Sequence, residues 1–331
     1  MRIGLILGLL LGLMPLASTA SAERVTLTTG THVYFTGESN QRERTFEADL
    51  PASVDAYAQA TLHFKLSCPD TDRCDPWDRF GSFGLVDGQG RYFELMRFIT
   101  PYAIGAEWRF DISSFLPLLV GKQTFRVFID TWVGPGHPGG HGWLVDASIE
   151  FTPGTLAQRP AYVLPVLSTE DVVYGNPEQA TQRPGVLLPL VGFKSAKIVT
   201  SITGHGQGNA QNCAEFCSKV HSLKVGERVF SRRVWRDNCA STVDPNQKGN
   251  YFYPRAGWCP GDKVEPWVED ITSALLGESV SFTYDVEAYE NTCRPGAVPC
   301  QGCVLGTGCD FDGGRHTEPR YYVSSYVVYY K

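Results

Sequence analysis

The sequence predicts an all-β protein of antiparallel sandwiches, on three observations. Apolar and polar residues alternate over short runs, as half-buried strands require. Examples are Leu62-His63-Phe64-Lys65-Leu66, then Val145, Ala147, Ile149 and Phe151 between Asp146, Ser148 and Glu150, then Val280, Phe282, Tyr284 and Val286. The C-terminal run Tyr321–Tyr330 is β-branched and aromatic, which suits a strand. No long amphipathic helix is legible, and Asp270–Leu276 amounts to at most about two turns.

In chain order, Met1–Ala22 reads as a secretory signal: Arg2, the apolar run Ile3–Leu16, then Ala20-Ser21-Ala22 before Glu23. That run is short for a transmembrane helix and no later segment is apolar enough to span a bilayer, so a secreted or periplasmic chain without a membrane partner is expected. The chain has 331 residues, 43% of them apolar, enough for two domains. A boundary is expected at Thr152-Pro153-Gly154-Thr155, dividing the mature chain into 23–153 and 154–331. A net charge of -6, with both signs well mixed, does not suggest a nucleic-acid partner, and a monomer is expected. All ten cysteines lie in the mature part, where an oxidising compartment would pair them.

The stretch Cys68-Pro-Asp-Thr-Asp-Arg-Cys-Asp-Pro-Trp-Asp-Arg79 carries the first functional signal. Two cysteines close a short acidic loop, and Trp77, Asp78 and Arg79 stand just past it. An aromatic face beside a carboxylate and a guanidinium suits a carbohydrate, whose apolar face stacks on the ring while its hydroxyls meet the charges. The plain alternative is an exposed disulfide loop with one Asp–Arg surface pair. A calcium loop starting at Asp70 is disfavoured: Cys74 falls where a ligand belongs, and the glycine and final glutamate are missing.

Further on, Phe125, Val127 and Ile129 fall on one face of a predicted strand, with Phe128, Asp130 and Trp132 on the other. Asp130 and Trp132 therefore point the same way, beside the glycine-rich loop Gly134–Gly142. His137 and His141 lie on that loop rather than on a helix, so their spacing says little about a metal. Gly204-His205-Gly206-Gln207-Gly208 leads to Cys213-Ala-Glu215-Phe-Cys217, where a bridge across three residues would fix the direction of Glu215. Arg255-Ala-Gly-Trp258-Cys259 brings another arginine and tryptophan to a cysteine. The plain alternative for Asp130 and Trp132 is a solvent-facing strand edge, and for the Cys213–Cys217 and Arg255–Cys259 stretches a surface turn stapled by a disulfide. Among Cys293, Cys300, Cys303 and Cys309, the Cys300-Gln-Gly-Cys303 spacing suits zinc, but in an exported chain two further disulfides are expected.

Several of these motifs together resemble the bacterial peptide-N-glycosidase F family. They are Cys-Asp-Pro-Trp-Asp-Arg79, Arg97-Phe-Ile-Thr-Pro-Tyr102, Cys213-Ala-Glu-Phe-Cys217 and Arg255-Ala-Gly-Trp-Cys-Pro-Gly261, in the family's order from about residue 45 to the C-terminus. The resemblance implies two antiparallel jelly rolls packed side by side. It also implies hydrolysis of the amide joining N-acetylglucosamine to asparagine in N-linked glycoproteins or glycopeptides, with no metal or cofactor. By the same resemblance Asp78 matches the principal catalytic aspartate and Glu215 a second acid of the cleft. Asp130 falls where the family has a glutamate, and Trp132, Arg79, Arg255 and Trp258 match neighbours of the cleft, with Trp77 beside them. The implied disulfides are Cys68–Cys74, Cys213–Cys217 and Cys239–Cys259. Two positions depart from the pattern. Asp130 is one methylene shorter than the expected glutamate, a retreat of roughly 1–1.5 Å, and His205 replaces a tryptophan that would stack on a sugar. A glycan-binding protein without turnover is the rival reading. A copper monooxygenase on paired jelly rolls is weak, because Met96 is the only methionine past the signal.

Overall fold

The computed structural model describes residues 21–70, 74–293 and 318–331. The expected signal segment lies outside the described residues except for Ser21 and Ala22, and so do Cys300, Cys303 and Cys309. The alternation read from the sequence becomes burial. In Lys122–Ile129 the side chains of Phe125, Val127 and Ile129 are fully buried while their neighbours are not. Leu62, Phe64 and Leu66 face the same core.

Four antiparallel sheets make two jelly-roll sandwiches. The N-terminal sandwich pairs a five-stranded sheet with a four-stranded one. The first runs Asn40–Gln41, Glu23–Phe35, Trp143–Pro153, Tyr57–Ser67, Ala106–Asp111; the second runs Glu43–Asp49, Lys122–Ile129, Phe80–Val86, Tyr92–Ile99. The C-terminal sandwich has two four-stranded sheets. One is ordered Pro160–Val173, Arg320–Tyr330, Ser195–His205, Trp267–Asp270, and the other Arg183–Leu187, Val280–Val286, Lys219–Val225, Arg228–Val234. Helix is scarce among the described residues. Within Asp270–Leu276 it is a 3-10 turn, Thr272–Ala274, and the α-helix Cys239–Thr242 is a single turn. Cys68–Cys74, Cys213–Cys217 and Cys239–Cys259 are disulfides, and Cys293 is disulfide-bonded as well.

Strands at the junction of the sandwiches are buried on both faces, which explains their near-continuous apolar sequence. Val163, Val199 and Val328 of the C-terminal sandwich join the core of the N-terminal one. Every residue of Tyr92–Ile99 is buried. Its pairing with Phe80–Val86 skips a position, with Met96 opposite Phe83 but Glu94 opposite Gly84. Leu95 is thus the extra residue of a bulge, which lets Glu94 and Arg97, three apart, reach the same side.

There Arg97 closes the interface. Its Nε and Nη2 donate to the two carboxylate oxygens of Glu94 at 2.9 and 3.0 Å. Nη1 donates to the carbonyls of Tyr322 (2.6 Å) and Ser201 (3.3 Å) and to Thr203 Oγ1, and Nη2 to Ser324 Oγ. Ser324 and Thr169 hydroxyls donate in turn to Glu94. All the partners beyond Glu94 belong to the C-terminal sandwich. Arg97→Met leaves Glu94 buried without its counter-charge, an omission that costs about 3–5 kcal/mol. Denaturant unfolding should show that loss, and a change under about 1 kcal/mol would show that the pair does not hold the sandwiches together.

Candidate active site

The site is built at the end of the junction from both sandwiches. Past the Cys68–Cys74 bridge the chain turns at Asp75, whose carboxylate is fully buried. It accepts hydrogen bonds from the Trp77 N–H (3.0 Å), Arg79 Nε (2.9 Å) and Thr131 Oγ1 (2.6 Å). The first is an Asx turn, in which a short acid captures the N–H two residues on. Thr100 fastens the other side of this turn: its hydroxyl donates to the Trp77 carbonyl at 2.9 Å and accepts from the Arg79 N–H at 2.8 Å. Trp77 is left 58% exposed and Asp78 is directed inward.

Asp78 Oδ2 accepts a hydrogen bond from the Tyr102 hydroxyl at 2.6 Å and lies 3.6 Å from Arg255 Nη2. Arg255 Nε donates to Glu215 Oε1 at 3.0 Å, and its Nη2 donates to the Tyr102 hydroxyl at 3.3 Å. The guanidinium also donates to the carbonyls of Tyr253 and Asn250, and it lies over the rings of Trp258 and Phe216 at 4.9 and 5.1 Å. Its side chain is 1% exposed. Tyr102 is held by Gln247, whose Oε1 accepts from the Tyr102 N–H and whose Nε2 donates to the Pro260 carbonyl. Gly249 is required for this contact, since a Cβ there would come 2.3 Å from the tyrosine ring. Trp77, Asp78, Tyr102, Glu215, Tyr253 and Arg255 line one cleft of about 790 Å³.

Burial dominates the electrostatics. It raises the Asp78 carboxyl above its ordinary range, against the pull of the Tyr102 hydrogen bond and of Arg255. Burial, then the charge of Asp78, push Glu215 up to about 8, against Arg255. Both acids therefore keep a proton to higher pH than free carboxyls do, and the charge of either one raises the other.

The other residues singled out in the sequence fall into two further groups. Asp130 and Trp132 lie just past the strand Lys122–Ile129 and share Arg42. Arg42 Nη1 donates to Asp130 Oδ1 at 2.9 Å, and its Cζ sits 4.4 Å from the Trp132 ring. Burial raises the Asp130 carboxyl, opposed by Arg42 and Arg79. His205 and Trp258 form the second group, under the cleft. Trp258 is 1% exposed, stacks on His205 at 5.4 Å and donates its Nε1–H to the Gly204 carbonyl. Its place is beneath Arg255 rather than on the cleft wall. Burial lowers His205 to about 3, so the ring is neutral. His205 Nε2 and Thr203 Oγ1 are hydrogen-bonded at 2.9 Å, and the same hydroxyl accepts from Arg97.

Asp75, Thr100, Tyr102, Gln247 and Arg42 were not assigned roles from sequence. Asp75-Pro-Trp carries a readable Asx-turn signal; Arg42 carries none, lying 88 residues from Asp130. On the glycine-rich loop, His141 Nδ1 pairs with Asp70 at 2.6 Å. No cluster of three or more His, Cys, Asp or Glu poised for a metal occurs among the described residues.

A family model described as peptide-N-glycosidase F, N terminal, matches residues 84–151, and one described as peptide-N-glycosidase F, C terminal, matches 190–300. The peptide-N(4)-(N-acetyl-beta-D-glucosaminyl)asparagine amidase F of Elizabethkingia miricola is 28% identical over 273 residues, 77% of this chain and 74% of that protein. The solved structure of PNGase F, a glycosylasparaginase from Flavobacterium meningosepticum, shares the fold with a TM-score of 0.76 at 22% identity, covering 94% of this chain and 96% of that one. The structure of PNGF-II matches with a TM-score of 0.68 at 16% identity, over 93% of this chain and 65% of that one. With both halves matched in order by the two models of one family, the chain belongs to the peptide-N-glycosidase F family.

Proposed function

We propose that this protein is an exported amidase that hydrolyses the bond between N-acetylglucosamine and asparagine in N-linked glycoproteins or glycopeptides. The observation that carries the reading is the Asp78–Glu215 pair, two largely buried acids held by one guanidinium in a cleft, both raised above the ordinary carboxyl range. Hydrolysis of an unreactive amide wants a base and an acid at once, and environments that push two carboxyls apart supply both. Asp78 takes a proton from water as the water oxygen bonds to the amide carbon. Glu215 gives its proton to the departing nitrogen as the C–N bond breaks, leaving aspartate and a glycosylamine. The Arg255 hydrogen bonds are already committed within the protein, so its part is to hold both acids and moderate their charge. Trp77 offers an exposed ring face for a sugar or the peptide. Export rests on the N-terminal pattern and on the disulfides. One observation favours the rival reading of a glycan-binding protein without turnover: the shortened acid Asp130 is engaged by Arg42.

Incubation with a denatured N-glycoprotein separates the two readings. The amidase frees glycan and converts asparagine to aspartate, adding about one dalton to the peptide by simple hydrolytic mass balance; a binding protein retains glycoprotein unchanged. Asp78→Asn keeps the side chain's shape and removes the base, so turnover should fall by about 10²–10⁴-fold with folding intact. Turnover above about a tenth of wild type would remove Asp78 from that role. The pH profile should be a bell. Deprotonation of Glu215 removes the acid as pH rises through about 8, while protonation of Asp78 removes the base at a pH above the ordinary aspartate range. A rate still climbing well past pH 8 would rule out Glu215 as the proton donor.

A further inference from the structure

We infer that the loop 248–253 binds the polypeptide flanking the glycosylated asparagine, taking an apolar side chain against Phe252 and Tyr253. This rests on the amidase reading and concerns the part of the substrate across the scissile amide from the sugar. Phe252 is 45% exposed and Tyr253, its neighbour, 49%. Their rings pack at 4.5 Å with a 44° tilt, and Tyr251 sets its ring edge-on to Phe252 at 5.6 Å. Tyr253 lines the Asp78 cleft together with Trp77, so the apolar surface continues into the cleft. Two consecutive exposed rings at the mouth of a cleft make a contact surface, unlike apolar residues scattered singly.

The loop is fastened so that these rings stay out. The carbonyls of Asn250 and Tyr253 accept from Arg255 at 2.8 and 3.0 Å. The Lys248 N–H donates to the Tyr102 carbonyl at 3.2 Å and the Tyr251 N–H to the Gly249 carbonyl at 2.9 Å. Tyr251 packs against Val243 and the Cys239–Cys259 bridge. Turning Phe252 and Tyr253 inward would break bonds to the arginine that holds Asp78 and Glu215. A surface ordered beforehand loses less freedom on binding, and a side chain seated on it fixes where the amide lies relative to the two acids. The chemistry of the patch selects the occupant. Tilted rings make an uneven apolar surface rather than the flat free face on which a pyranose stacks, and Phe252 carries no hydrogen-bonding group. A side chain the size of leucine covers such a surface, and an extended polypeptide presents one at every second position.

The test uses glycopeptides with one glycan and serine on both sides of the asparagine, compared with the same peptides carrying a single leucine one or two positions before or after it. In wild type, leucine at one of these positions should raise kcat/KM by about tenfold, through KM. In Phe252→Ser that gain should fall to near one. No gain at any position in wild type, or a gain unchanged in the variant, overturns the inference. So does an equal loss for the serine and leucine peptides in Phe252→Ser, which would place the glycan on the loop instead. If Phe252→Ser lacks a cooperative melt, Tyr253→Ser decides by the same ratio. If wild type releases no glycan from any peptide, the amidase reading fails, and calorimetric titration with the intact glycopeptides decides the loop. Tighter binding of a leucine peptide then supports it, and equal binding overturns it.

Discussion

The bidentate pair of Arg97 with Glu94, sealed between the sandwiches, is the constraint on which the site depends. Replacing such a pair by well-packed apolar residues is often neutral, because desolvation offsets most of the attraction. What the pair adds is direction. Arg97 reaches partners on the strands Ser195–His205 and Arg320–Tyr330, and Glu94 takes hydroxyls from Thr169 and Ser324. A slide of one sandwich over the other breaks several of these bonds inside a dry interface, so one docking geometry is selected. Two residues further along the same strand the chain leaves at Ile99, and Thr100-Pro101-Tyr102 enters the cleft.

Arg255 repeats the device one layer outward. It is a buried guanidinium lying over two rings and tied to one acid from each sandwich. The acids come from parts of the chain that only the docked junction brings together: Asp78 and Tyr102 from one side, Glu215 and Arg255 from the other. A single positive charge between two carboxylates in poor solvent stabilises one ionised acid well and two badly. The raised carboxyls of Asp78 and Glu215 are therefore a consequence of the fold that brings them to one arginine.

The strand pattern was legible because a half-buried strand writes its burial into every second residue, as Phe125, Val127 and Ile129 do. The double burial of Tyr92–Ile99 was not, since a strand covered on both faces has no period to read. The Asp78 and Glu215 stretches stood out because disulfides mark them. Their partners did not: Arg42 meets Asp130 across 88 residues, and Arg97 meets Ser324 across 227. The resemblance put Trp258 among the neighbours of the cleft; the packing sets it beneath Arg255, with its indole N–H on the Gly204 carbonyl and a face against His205. Composition assigns a tryptophan to a site; only the packing says on which side of the arginine it lies.

The glycine-rich loop Gly134–Gly142 shows the same distinction. From sequence it is a glycine-rich loop beside Asp130 and Trp132 that carries two histidines. In the fold it is a buttress. A Cβ on Gly140 would lie 2.3 Å from the Cys74 carbonyl oxygen, and one on Gly142 2.4 Å from that of Val33, so the loop runs flat against both backbones. His141 pairs with Asp70 at one end of the Cys68–Cys74 loop, and its carbonyl accepts from His32 Nε2. The segment pressed by Gly140 is the one that turns at Asp75, and Asp75 directs Trp77 and Arg79 on either side of Asp78. At Gly140 and Gly142 glycine serves for close approach of two backbones. The loop therefore bears on Asp78 through the backbone of Cys74 and Asp75.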